Sequence, residues 1–151
     1  MSEKYTFKQA KTAKRIIKYF AKLQSAVFLF SKGKLWNKWP GGFPIMVVET
    51  KGAKTKKIRN IPLIYVHQDG MPILVASLGG MPKNPDWYYN VKANPNHKIS
   101  TIDWTDSYLA EEVAKEKKDE LWPLICSFYP DYATYQSNTE REIPVFLCKK
   151  I

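Results

Sequence analysis

Residues 75–90 read VASLGGMPKNPDWYYN. We expect this stretch to form the ligand-binding centre around which the rest of the chain is arranged. The stretch begins as an apolar strand, breaks at Gly79 and Gly80, passes two prolines and restarts as a helix carrying Trp87 and Asn90. A buried strand that opens into a glycine loop and then a helix N-terminus is a common way to hold a flat or anionic ligand. Taken alone, the pattern fits many ligands, and the rest of the chain must narrow the choice.

Three β-strands are expected before this loop. Residues 43–50, 58–67 and 71–77 are rich in β-forming residues, and a polar turn separates the first two. Asp69-Gly70, between the second and third, is a strong hairpin signal. These consecutive strands predict antiparallel pairing, because no helix intervenes to carry a parallel crossover.

A helix should follow the loop, with Asn84 as N-cap, Pro85 at the first helical position and an end near residue 93. Further segments have clear patterns: strands at 98–104, 107–114 and 143–148, a helix at 115–128 and a short helix from Pro130 through Gln136. The sum is an α+β fold, a small six-stranded antiparallel barrel with flanking helices. The chain contains no GxGxxG or Walker motif, which argues against a Rossmann or P-loop site.

Residues 6–31 predict a basic amphipathic helix. The expected core-facing side chains are Phe7, Ala10, Ala13, Ile17, Phe20, Ala21, Gln24 and Phe28. Such a helix either covers its own domain or lies on an anionic membrane, and the first interpretation is favoured. We therefore expect a helix and loop over residues 1–42 and a barrel over 43–151, within a single domain.

The net charge of +10 is concentrated in the first 60 residues, which hold 15 Lys and Arg against 2 acidic residues. Either these residues face an anionic partner, such as nucleic acid, a membrane surface or a polyanionic cofactor, or the charge simply keeps the protein soluble. No nucleic-acid-binding motif is recognisable, so nucleic acid is not expected as a partner. The histidines His67 and His97 lack metal-ligand spacing, and no metal is expected. With neither a signal peptide nor a transmembrane segment evident, we expect a cytoplasmic protein.

Two groups of side chains stand out as ligand-binding candidates. The turn KGAKTKKIR places Lys54, Lys56, Lys57 and Arg59 close together, where they either bind phosphate or carboxylate groups or form a solvated hairpin tip. Tyr129, Tyr132 and Tyr135 follow at three-residue steps, as a pocket wall or as core packing. No Ser-His-Asp set, Cys-His set or carboxylate pair is evident, so a cofactor that brings its own chemistry is the better hypothesis.

Three segments resemble the deazaflavin (F420)-dependent nitroreductase family: GAKTKKIRNIPLIYV, VASLGGMPKNPDWYYNVKANP and LWPLICSFYPDYATYQSNTEREIPV. The resemblance covers about residues 43–148, with YPxYxxYQxxTxRxIPV as its second most specific part. It implies a split β-barrel, the fold shared with flavin-binding oxidoreductases. It also implies coenzyme F420, a hydride donor with an anionic tail of phosphate and glutamates.

The resemblance also implies roles for individual residues. Lys54 and Arg59 would hold the phosphate, with Lys56 and Lys57 near the tail and Pro62 on a strand that lines the cofactor. Ala76, Ser77, Gly79 and Gly80 would contact the deazaflavin, with support from Trp87 and Asn90 on the following helix. The acceptor pocket would comprise Ser77, Tyr129, Tyr132 and Tyr135, with Tyr132 or a pocket water as proton donor.

The activity implied is hydride transfer from reduced F420 to a quinone, an activated alkene or a nitro compound. The chain departs from the family pattern at Ala53, Lys56, Ile58 and Leu78, so an FMN-using protein stays open as the alternative. So does a non-catalytic module for a flavin, a tetrapyrrole or a lipid. Residues 6–31 could contact a membrane that carries the quinone, and the chain could be a monomer or a homodimer.

Overall fold

The computed structural model describes residues 7–151, with side chains from residue 11 onward, as an α+β fold. Eight β-strands pair into one curled antiparallel sheet. The strands are β1 (Lys38–Trp39), β2 (Phe43–Lys51), β3 (Ile58–Ile64), β4 (Val66–Gln68), β5 (Met71–Val75), β6 (Asn96–Ser100), β7 (Thr105–Glu112) and β8 (Val145–Lys150). The helices are α1 (Phe7–Phe30), α2 (Asp86–Ala93), α3 (Lys115–Phe128) and α4 (Asp131–Ser137), and a single 3-10 turn spans Leu78–Gly80.

The sheet order is β1-β2-β6-β7-β8-β5-β4, with β3 also paired to β2. The antiparallel architecture agrees with the sequence prediction, but the count of six strands was wrong. The strand expected over residues 58–67 is divided at Tyr65, because the chain changes its partner there: Ile58–Ile64 pairs with β2, whereas Val66–Gln68 pairs with β5. The Tyr65 N–H still donates to the Pro44 carbonyl at 2.9 Å, in continuation of the β2 register. The short β1 lies within 32–42, a segment expected to be loop.

Side chains alternate between the two faces of the sheet, as strand geometry requires. On one face, Ile45 and Val47 pack with α3, α4 and Phe28 of α1. On the other, Met46 and Val48 pack with Trp87 and Val91 of α2. The helices therefore cover both faces, and α2 closes the second core directly after the glycine loop.

Helix α1 agrees with the predicted helix over residues 6–31, although residue 6 lies outside the described residues. Gln24 and Phe28 are buried as expected, and the Gln24 amide donates to the carbonyls of Trp36 and Lys38. In contrast, Ile17 and Phe20 remain 38% and 43% exposed. The predicted core face is therefore only partly covered on the N-terminal side of Gln24. The predicted positions Phe7 and Ala10 lie outside the described side chains.

Two local predictions fail because side chains find other partners. Asn84 is not the N-cap of α2: Pro85 occupies that position, and the Asn84 amide oxygen instead accepts a hydrogen bond from Arg141 at 2.7 Å. The strand expected to reach residue 104 ends at Ser100, because the Thr101 hydroxyl accepts from the N–H groups of Asp103 and Trp104 and forms a turn.

Candidate functional site

The loop that follows β5 contains three consecutive residues with positive φ: Leu78 (45°), Gly79 (63°) and Gly80 (79°). The two glycines have different surroundings. A Cβ on Gly80 would lie 2.6 Å from the Tyr135 carbonyl oxygen, so the glycine allows the loop to pack against α4. A Cβ on Gly79 would meet nothing within 4 Å. Gly79 therefore presents its backbone to open space, while Gly80 joins the loop to the tyrosine helix.

Arg141 holds this loop from behind, and all five of its N–H donors are used. The guanidinium donates to the carbonyls of Met81 (2.9 Å), Ala76 (3.2 Å from both terminal nitrogens) and Ser77 (2.8 Å), and to Asn84. No role for Arg141 follows from the sequence patterns described above. Its position in the TxRxIPV motif was the available signal, but the sequence around a single arginine does not indicate which distant carbonyls it will bind.

Ala76 and Ser77 are both buried, as expected of residues at the floor of a site. Their carbonyls face Arg141, and the Ala76 N–H donates to the Pro144 carbonyl at 2.9 Å. The Ser77 hydroxyl makes no hydrogen bond within the part of the chain that the structure describes. Its oxygen keeps some solvent access although the residue as a whole is buried, so this hydroxyl is available to a ligand.

The three tyrosines form one cluster at the end of α3 and along α4. The ring centroids of Tyr129 and Tyr132 lie 5.0 Å apart, and Tyr135 lies 6.0 and 6.1 Å from them. The Tyr129 and Tyr135 hydroxyls are hydrogen-bonded at 3.1 Å. Tyr129 and Tyr132 are buried, Tyr135 is half-buried, and burial raises the pKa of Tyr132 well above its ordinary value. The Tyr132 phenol is therefore protonated at every physiological pH.

A polar network around the buried Lys118 supports the tyrosine helix. Lys118 donates to the side-chain oxygens of Gln136 (2.7 Å) and Glu142 (2.8 Å), and its ammonium lies 4.9 Å from the Trp122 ring centre. The Gln136 amide in turn donates to the Arg141 carbonyl. The hydrogen bond from Lys118 lowers the pKa of Glu142. This network fixes α4 to α3 and to the segment that carries Arg141.

The basic hairpin between β2 and β3 differs in character. Lys54, Lys56, Lys57 and Arg59 are all exposed, and in the described part of the chain none of them forms an ion pair with an acidic side chain. Lys56 adopts φ 59°, a conformation that favours glycine, which explains why the family pattern has glycine here. Four cations without acidic partners are available to an anion.

Helix α2 connects the glycine loop to this hairpin. The Asn90 side-chain oxygen accepts from the Ala53 N–H at 3.0 Å, and the Asn94 amide donates to the Lys51 carbonyl at 3.4 Å. Eight helical residues span about 12 Å. Asn90 thus supports the hairpin, whereas Trp87 points into the second core beside Phe146 and is not exposed to the loop surface. Pro62 is half-buried on β3, opposite Val47.

A model of the F420H(2)-dependent quinone reductase family matches residues 21–150 of this chain. The chain belongs to that family. The match includes the glycine loop, the basic hairpin and all three tyrosines. Membership confirms the suspected resemblance, F420 as the cofactor, and an oxidoreductase that transfers a hydride from reduced F420 to a quinone.

Relatives and solved structures agree. The chain is 34% identical to an F420H(2)-dependent quinone reductase of Mycobacterium tuberculosis over 127 residues, covering 82% of this chain and 85% of that protein. It is 43% identical to a solved F420-H2 dependent reductase, with a TM-score of 0.66 over 70% of this chain and 94% of that one. A third similar structure, a domain-swapped dimer, is 36% identical, with a TM-score of 0.69, and covers 87% of this chain and 98% of its own.

Two further features concern membranes and metal ions. None of the helices, as far as they are described, is long and apolar enough to cross a membrane. The described side chains contain no group of three His, Cys, Asp or Glu residues that could hold a metal ion.

Proposed function

We propose that this F420H(2)-dependent quinone reductase binds its cofactor ring over Gly79, with the acceptor between the ring and the tyrosines. The observation that carries the proposal is the contrast between the two glycines. Gly79 opens onto free space, and its neighbour Gly80 touches the backbone of Tyr135. A flat ring seated on the loop would therefore lie beside the tyrosine cluster, where a second ring can stack.

The residues present suit a deazaflavin with an anionic tail. Ser77 offers an accessible hydroxyl without a partner among the described residues, and Gly79 offers a backbone surface that a side chain would occlude. Lys54 and Arg59 are proposed to bind the phosphate and Lys56 and Lys57 the glutamates, because all four cations lack acidic partners. The tail would extend from the ring toward the hairpin, which α2 contacts through Asn90.

When bound, reduced F420 supplies the hydride. The chain supplies orientation, since the acceptor must be held against the ring in a near-attack geometry. Tyr132 is proposed to donate a proton or a hydrogen bond to the acceptor oxygen. Its hydroxyl makes no hydrogen bond within the described residues, and its raised pKa keeps the proton in place until the acceptor gains charge. The Tyr129–Tyr135 hydroxyl pair fixes the opposite side of this wall.

The acceptor range is proposed to include activated alkenes and nitro compounds besides quinones. All three are electron-poor, and an aromatic wall without a charged side chain selects for flatness more than for a particular functional group. Ala53, Lys56, Ile58 and Leu78, the departures from the family pattern, lie at the tail end or the loop edge, so FMN is the relevant competitor to test.

The deciding experiment is a fluorescence titration of the purified protein with F420 and, separately, with FMN. Tighter binding of F420, followed by oxidation of reduced F420 in the presence of menadione, is the expected result. Preference for FMN would mean that the altered hairpin has changed the cofactor. Binding without turnover of menadione or a nitroaromatic would indicate a non-catalytic flavin-binding module.

Peripheral membrane contact through α1 is a further part of the proposal. Helix α1 exposes an apolar stripe at helical spacing: Ile16 (65%), Tyr19 (75%), Leu23 (54%) and Phe30 (93%). Beside it runs a row of exposed cations: Lys11, Arg15, Lys18 and Lys22. An apolar stripe flanked by cations is the pattern of helices that lie in an anionic membrane interface, and lipophilic quinones reside in membranes.

Vesicle co-sedimentation tests this contact. We expect binding to vesicles that contain anionic lipid and weak binding to zwitterionic ones. Leu23→Glu with Phe30→Glu should abolish binding without unfolding the protein, because neither side chain is buried. Deleting α1 would be a poorer test, since it removes the buried Phe28. Equal binding of the variant would place the contact elsewhere. The cytoplasmic location stays a prediction, and gel filtration will distinguish monomer from homodimer.

A further inference from the structure

Arg141 is unusual because its positive charge is half-buried among neutral partners. In the described part of the chain it forms no salt bridge, and its five donors all reach carbonyl or amide oxygens. Burial lowers the pKa of this guanidinium, although an arginine remains charged in a protein. Because no carboxylate neutralises this half-buried charge, its electric field acts on the neighbouring peptide groups of the loop.

The peptides of the loop transmit that effect. In a trans peptide the C=O and the following N–H point in opposite directions. The carbonyls of Ala76 and Ser77 point at Arg141, so the N–H groups of Ser77 and Leu78 point away from it. Neither N–H has a hydrogen-bond acceptor within the described residues. A cation at the carbonyl end polarises each peptide and makes its N–H a stronger donor.

We propose that Arg141 is the positioning residue of the cofactor site: it locks loop 76–84 and turns the N–H groups of Ser77 and Leu78 into a seat for an electron-rich heterocycle edge. The ligand class is a ring carbonyl or a deprotonated ring nitrogen. The inference rests on the proposed function, because it assumes that the deazaflavin ring lies on this loop. The inference goes beyond the proposed function because it makes one side chain outside the loop, Arg141, responsible for the loop's fixed conformation and for the donor strength of its N–H groups.

Hydrogen exchange of the cofactor-free protein tests the lock without using activity. We expect amides of residues 76–84 to exchange at least tenfold faster in Arg141→Met than in the wild type, and Arg141→Lys to fall between them. Lys118→Met is the matched control, since it removes another buried cation from the same polar network without touching the loop. Lys118→Met should lower the melting temperature while leaving loop exchange within about twofold.

Binding of two ligands tests the seat: F420 and the deazaflavin riboside that lacks the phosphate and glutamate tail. Arg141→Met should weaken both by the same factor of at least ten, because Arg141 acts on the ring alone. Millimolar guanidinium should restore part of the affinity of Arg141→Ala. Substitution of Lys54 and Arg59 should weaken only the tailed ligand.

The outcomes are separable. Unchanged loop exchange in Arg141→Met overturns the lock while leaving the proposed function intact. Faster exchange with unchanged affinity for both ligands overturns the seat. A wild-type protein that binds neither ligand overturns the proposed function and the seat together, and the exchange data still decide the lock. Loss of affinity for the tailed ligand alone also overturns the seat.

Discussion

The glycine loop and the basic hairpin lie at opposite ends of α2 and are built on opposite principles. Residues 76–81 of the loop are half-buried or buried, the carbonyls of Ala76, Ser77 and Met81 accept hydrogen bonds from Arg141, and Gly80 packs against α4. The hairpin carries four exposed cations, and Asn90 of α2 and Asn94 just after the helix form hydrogen bonds to its backbone at Ala53 and Lys51. The first region is fixed by packing and hydrogen bonds, the second by little more than its turn.

This difference suggests a division of labour within the site. Hydride transfer requires placement within a fraction of an ångström, which a locked loop can provide. A flexible polyanion needs only charge nearby, because exposed ion pairs tolerate variation in geometry. We therefore expect variants of the loop and tyrosine wall to have large, position-specific effects and variants of the hairpin to have small effects that depend on salt.

Tyr132→Phe should have the largest effect, a loss of about 100-fold in turnover, as is typical when a proton donor is removed. Its hydroxyl makes no hydrogen bond to the described residues, so cofactor affinity and melting temperature should be nearly unchanged. Because its pKa is raised, the wild-type rate should show no alkaline decline from this phenol below about pH 10. If cofactor affinity falls as much as turnover does, Tyr132 is structural.

Gly79→Ala should weaken F420 binding about 30-fold, equivalent to about 2 kcal/mol, because its methyl group occupies space above the loop. The protein itself should lose only about 1–2 kcal/mol for an alanine at φ 63°. Titration and thermal unfolding measure the two quantities.

The neighbouring Gly80→Ala is the contrasting variant. Its Cβ would lie 2.6 Å from the Tyr135 carbonyl, so destabilisation should exceed that of Gly79→Ala by roughly 1–3 kcal/mol. Equal effects of the two substitutions on both stability and affinity would contradict the assignment of Gly79 to the ligand side and Gly80 to the packing side.

Removing charge from the hairpin should have a milder effect. Lys54→Gln combined with Arg59→Gln should weaken F420 roughly tenfold at low salt, with much of the difference lost at high salt through screening. The control is Lys149→Gln with Lys150→Gln, which makes the same change in net charge on β8. Titrations at two salt concentrations compare the pairs. Equal weakening by both would mean that F420 responds to overall charge and not to this hairpin.

The sequence predicted the elements better than it predicted their partners. The glycine loop, the tyrosine series and the basic turn were all identified, because glycine pairs, three-residue spacing and charge runs are local patterns. Asn84 was assigned to a helix cap because its local context fits one, yet its oxygen is used by a residue 57 positions away. Trp87 and Asn90 were placed at the cofactor on the strength of the resemblance, and only the tertiary structure shows which face of α2 each occupies.

The same limit applies to Arg141 and to the strand count. A single arginine between Glu140 and Glu142 has the local pattern of a surface charge. The neighbouring residues give no indication that it will donate to carbonyls of the glycine loop. The break at Tyr65 likewise follows from a change of partner strand, from β2 to β5, which no propensity for residues 58–67 contains. Long-range pairing decided both cases.

The smallest effect is expected at Lys56, where the hairpin keeps a lysine in a glycine conformation. Replacing it with glycine relieves about 1–2 kcal/mol of strain and costs about 0.5–1 kcal/mol in unfolded-chain entropy, so stability should rise by up to about 1.5 kcal/mol. Lys57→Gly removes the same charge beside it, at a position without positive φ, and should lower stability instead. In both variants F420 affinity should fall less than about threefold, as expected for one exposed charge. Thermal unfolding measures the stability difference. A larger drop in F420 affinity for Lys56→Gly than for Lys57→Gly would show that the Lys56 ammonium has a defined position against the ligand. The hairpin would then bind through precise geometry, as the loop does, despite its exposure.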